Sequence, residues 1–140
     1  MDAIIYILTL IFILISGLHF YWIFGGKAIL DAAIPVTVNG KKTFEAPLLP
    51  TLIVAIGLLF FALIILSNLN TFNSPLPSKV IEYGTWTIAI IFLLRAIGDF
   101  KYCGIRKTVK KTKFAKFDSM YYVPLCFIIG LGALLLAYNR

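Results

Sequence analysis

A chain of 140 residues that is 61% hydrophobic and only 14% charged, with a mean hydropathy of +0.96, is not an ordinary water-soluble domain, which is about 45–50% apolar and about 25% charged. Its formal charge of +7 would suit nucleic acid if the basic residues covered a soluble face, but they cluster beside apolar segments, as a membrane topology signal does. The two cysteines, Cys103 and Cys126, have no CxxC spacing. They point to neither a disulfide framework nor a zinc site, so no metal and no cofactor is expected.

The first apolar run, about residues 3–24, carries no charge. A membrane-spanning helix needs roughly 20 such residues. The run lacks a preceding Lys or Arg and a following A-x-A site, which sets it apart from a secretory leader. Ser16, His19 and Ile23 share one helical face, with Trp22 beside them. The first loop holds V-T-V-N-G-K-K-T-F. Asn39-Gly40 between alternating residues is a strong hairpin signal, because both central turn positions need φ > 0. A small β-hairpin, residues 36–38 against 41–43, is therefore predicted.

The second span covers about 48–67, with Pro50 in its first turn, where a missing N–H is tolerated. A turn-rich loop leads to the third span, about 80–100, the least apolar because Glu82, Arg95 and Asp99 fall in it. The fourth span covers about 121–138. Its Cys126, Gly130, Ala133 and Ala137 form a small-residue stripe that lets helix backbones approach closely. The predicted fold is an all-α membrane protein, a four-transmembrane-helix bundle in one integral membrane domain, with the small β-hairpin in its first loop.

Loop charge sets the orientation. The first loop carries Lys27, Lys41 and Lys42. The third carries Lys101, Arg106, Lys107, Lys110, Lys111, Lys113 and Lys116, whereas the other side has Lys79 and Arg140. The positive-inside rule then places the first and third loops in the cytoplasm and both termini outside a multi-pass plasma membrane protein.

The segments H-F-Y-W-I-F-G-G-K…D-A-A-I-P (residues 19–35), R-A-I-G-D-F-K-Y-C-G (95–104) and K-F-A-K-F-D-S-x-Y-Y-x-P-L-C (113–126) resemble a bacterial membrane protein family catalogued as domain of unknown function 3995. The resemblance covers nearly the whole chain and implies a small four-helix integral membrane protein, with no activity to carry over.

Function must therefore be read from the polar residues. His19 is either a proton relay, base or ligand contact, since imidazole titrates near neutrality, or an interfacial residue bonded to a neighbouring helix. Arg95 and Asp99, four apart, are spaced for an intrahelical ion pair, with Tyr102 extending the face. The pair is either structural or holds an anionic or carbonyl group. Asp118 reads first as the N-cap of the fourth helix. Tyr121 and Tyr122 read as interface anchors.

Except for Glu82, these groups gather at the cytoplasmic helix ends. A polar pocket there would be lined by His19, Trp22, Arg95, Asp99, Tyr102, Asp118 and Tyr122. The basic loop, through Lys101, Arg106, Lys107, Lys110 and Lys111, would meet membrane lipids with anionic headgroups. Phe114 and Phe117 would dip into the headgroup layer. The leading function is a lipid- or partner-binding accessory protein, the partner being another membrane protein or a second copy of the chain. A small enzyme acting on a lipid-like substrate, with His19 as acid/base and Arg95 as anion holder, is the alternative. A proton-linked carrier ranks below both, for want of an inverted repeat.

Overall fold

A computed structural model of the chain describes residues 1–34, 39, 47–98, 104–105, 107–108 and 110–140. The elements in chain order are α1 (Asp2–Ile23), a short α2 (Leu30–Ala33), α3 (Leu48–Leu66), α4 (Ser78–Ile97), α5 (Lys113–Phe117), a π-helical turn (Asp118–Tyr122) and α6 (Val123–Tyr138). The last three run on without a break, so Lys113–Tyr138 is one long helix. This helix, α1, α3 and α4 are each long and apolar enough to cross a membrane, which makes the chain a multi-pass membrane protein.

Local chemistry sets the helix ends. Gly25 (φ 93) and Gly98 (φ 83) adopt the left-handed region after α1 and α4, where glycine has no Cβ penalty. The fourth span starts early, because the Thr112 side chain accepts a hydrogen bond from the Ala115 N–H at 3.0 Å and caps α5. The third helix stops at Ile97, short of the expected position 100. The expected β-hairpin falls on residues 36–43, of which only Asn39, an exposed turn residue, is described. The hairpin is not supported, and no strand occurs among the described residues.

The helices pack in a ring, α1 mainly on α3 and α4 mainly on α6, with lighter contacts α3–α4 and α1–α6. One end of the bundle gathers Asp2, Asn68 and Arg140 around a common cavity, and Arg140 also reaches Ser78. The start of α1, the end of α3, the start of α4 and the end of α6 therefore meet there, and the helices alternate in direction. This is the termini end. The opposite end, where the longer loops lie, is the loop end.

In the centre, Phe12 of α1 stands edge-on to Phe61 of α3 and Phe92 of α4, with centroids 5.9 and 5.4 Å away. Ser16 Oγ donates to the Ala55 carbonyl at 2.7 Å, fastening α1 to α3. Cys126, Gly130, Ala133 and Ala137 are all buried, and a Cβ at Gly130 would meet the Leu93 side chain at 2.7 Å. The small stripe is thus the close seam between α6 and α4.

Outside this core the bundle is inverted relative to a soluble protein. Only 28% of the apolar windows in α1, α3 and α4 is buried. Large apolar side chains such as Leu14, Ile53, Phe60, Ile90 and Leu131 face outward. Helices that are apolar all round, with their backbone bonds satisfied internally, need lipid as solvent.

Candidate functional site

The polar centre of the loop end is built around Asp118. Arg95 lies in the last turn of α4, where a cation complements the helix dipole. The chain leaves α4 at Gly98 and returns at Gly104, whose φ of +89 suits only glycine. A Cβ on Gly104 would collide with the Ile97 carbonyl. Ile105 then donates its N–H to the Ala96 carbonyl at 3.2 Å, satisfying one of the orphan acceptors at the helix end.

This return brings three donors onto one carboxylate. Arg95 Nη2 reaches Asp118 Oδ1 at 2.9 Å. Lys107 Nζ and the Gly104 N–H both reach Oδ2 at 2.8 Å. Lys107 Nζ also donates to the Gly104 carbonyl at 3.3 Å. The Asp118 side chain is fully buried, that of Lys107 is 3% exposed and that of Arg95 34%. Each charge alone would be costly at the edge of a bilayer. Together they form a latch that binds the third loop to α4 and to the fourth helix.

Asp118 is therefore not an N-cap. Thr112 fills that role, and the Asp118 backbone is helical (φ −59, ψ −49), which leaves its carboxylate free to point inward. The π-helical turn begins at this residue, and such turns often mark positions where a helix departs from regularity for a purpose. Arg95 reaches across to the fourth helix. The expected pairing of Arg95 with Asp99 and the place of Tyr102 lie outside the described residues.

The other candidates sit around this latch. Tyr122 packs its ring 6.1 Å from that of Phe114. Phe114 is itself buried, inside the bundle end instead of in the headgroup layer, because α5 turns it inward. Lys107, expected among the headgroup contacts, is spent on Asp118. Lys110, Lys111, Lys113 and Lys116 are exposed, whereas Lys101 and Arg106 lie outside the described residues.

His19 and Trp22 belong to a second group at the end of α1. His19 Nδ1 donates to the Ile15 carbonyl at 2.8 Å. The Trp22 ring lies 5.0 Å from His19, and its Nε1–H donates to the Ala28 carbonyl at 2.9 Å. Trp22, Ile23, Leu30, Leu48 and Thr51 line a cavity of about 140 Å³, and neither His19 nor Arg95 is in that lining. Helix α2 rests on α5 and joins this group to the latch side of the bundle.

Chemically, Asp118 is enclosed and engaged by three donors, which suits holding a loop better than moving a proton. Among the described residues no group of His, Cys, Asp and Glu is placed to hold a metal ion. Sequence reasoning missed the role of Lys107 and the Thr112 cap. Gly104 was the available signal, since a glycine just past a span end can bring a loop back onto the helix.

Comparison with curated proteins and with solved structures gives no match. The model of the family described as "Protein of unknown function (DUF3995)" matches residues 12–133, a stretch holding the latch, the His19–Trp22 group and most of all four spans, and the chain belongs to that family.

Proposed function

We propose that this chain is a non-catalytic accessory protein of the plasma membrane that holds anionic lipid headgroups at its loop end, in the cytoplasmic leaflet. The observation that carries this reading is the separation of roles among the third-loop cations. Lys107 is buried on Asp118, while Lys110, Lys111, Lys113 and Lys116 stand exposed next to the latch. The latch costs one lysine and in return fixes the loop that presents the others at headgroup depth. Lysines near an anionic surface contribute about 1 kcal/mol each. The cavity beside Trp22 lies at the same end and offers room between α1 and α3 for the glycerol region of a bound lipid.

Native mass spectrometry of the full chain, extracted in mild detergent, tests this with phosphatidylglycerol against phosphatidylcholine. We expect retained phosphatidylglycerol that is stripped by salt. Replacing Lys110, Lys111, Lys113 and Lys116 together by Gln is expected to lower its occupancy at least tenfold, given about 1 kcal/mol for each. Equal retention of the two lipids, or no change in the quadruple variant, overturns the reading.

A further inference from the structure

At the termini end, a cavity of about 300 Å³ opens between the helix ends, at the lower limit of the roughly 300–1,000 Å³ typical of small-ligand pockets. Its floor is apolar, formed by Ile5 and Leu136, and its wall carries Met1, Asp2, Asn68, Asn70, Asn139 and Arg140. The wall is built. Asn68 Nδ2 donates to the Ile64 carbonyl at 3.0 Å and to Thr85 Oγ1 at 3.2 Å. Its Oδ1 accepts from Arg140 Nη1 at 3.1 Å, while Arg140 Nη2 reaches Ser78 Oγ at 3.4 Å. Asn139 Nδ2 donates to the Leu135 carbonyl at 2.8 Å. The ion pairs among the described residues are both to Asp118. Asp2 and Arg140 thus face one cavity with opposite charges that do not pair with each other.

We propose that this cavity is a second binding site, for the headgroup of a zwitterionic aminophospholipid, with phosphate on Arg140 and primary ammonium on Asp2. Guanidinium suits a phosphate oxygen pair. A carboxylate suits a cation that can donate N–H bonds, which a quaternary choline cannot. Fixed amides of Asn68 and Asn139 hold the geometry, and the apolar floor meets the glycerol end. The site lies at the opposite bundle end from the lysines and does not depend on them.

Native mass spectrometry of the full chain with phosphatidylethanolamine, phosphatidylcholine and phosphatidylglycerol tests it. The expected result is several-fold more phosphatidylethanolamine than phosphatidylcholine. Asp2→Asn and Arg140→Gln should each abolish that preference. Asn70→Asp, which leaves the Arg140 contacts in place and sets a negative charge against the phosphate, should do the same. All three positions are exposed, and unchanged thermal unfolding checks that they fold. The quadruple lysine variant should keep the ethanolamine preference while losing phosphatidylglycerol. No preference in the wild type, or a preference that survives all three variants or disappears with the lysines, overturns the site.

Discussion

Asp118 gathers two ion pairs of the loop end onto one side chain. Its carboxylate is fully buried and accepts from Arg95, Lys107 and Gly104. Removing one partner of a buried ionic group costs about 3–5 kcal/mol, because the remaining charges stay desolvated. We expect Asp118→Asn to approach that range, with Lys107 the main sufferer, since its side chain is 3% exposed against 34% for Arg95. Lys107→Met should cost less, because Asp118 keeps Arg95 and the Gly104 N–H. Thermal unfolding in detergent ranks the two variants, and a larger loss for Lys107→Met would refute this hierarchy. At this scale the sequence was half legible. Arg95 and Asp118 stood out as ionisable groups near span ends. Their pairing was hidden, because they lie 23 positions apart and no local spacing joins them.

At the scale of elements, helix packing turns on how closely backbones approach. A Cβ at Gly130 would meet Leu93 side-chain atoms at 2.7 Å and the Leu93 backbone nitrogen at 3.1 Å, so the α4–α6 seam has no room for a branched side chain. Gly57 on α3 has nothing within 4 Å of the same added atom. Gly130→Ile should therefore lower the unfolding temperature clearly, overpacking costing about 1–3 kcal/mol. Gly57→Ala should be neutral or raise stability by up to about 1 kcal/mol through helix propensity. Melting both variants in the same detergent decides it, and equal effects would show that the seam is not the close contact described. The stripe containing Gly130 was readable because small residues recurring at helical spacing have few other uses in lipid. The start of the fourth helix was not. Thr112 precedes a short basic segment, and its capping bond to Ala115 looks in sequence like any loop threonine. Asp118, beside the apolar run, was the more obvious cap.

For the whole molecule, the four long apolar helices were legible from length and hydropathy alone, since lipid imposes an uninterrupted apolar run of fixed length. The first-loop hairpin, predicted from a two-residue turn signal, falls outside the described residues except for Asn39. Sidedness follows from a different physical term, the cost of moving basic loops across the membrane. The alternating helix directions put the exposed Lys110, Lys111, Lys113 and Lys116 on the face opposite Arg140. If the lysine-bearing end is cytoplasmic, both termini lie outside. A green fluorescent reporter fused after Arg140 should then stay dark and an alkaline phosphatase fused there should be active, with the reverse for a fusion within the third loop. A bright fluorescent fusion at Arg140 would invert the molecule. It would put the lysines on the outer leaflet and remove the cytoplasmic assignment, while leaving the Asp118 latch and the bundle as they are.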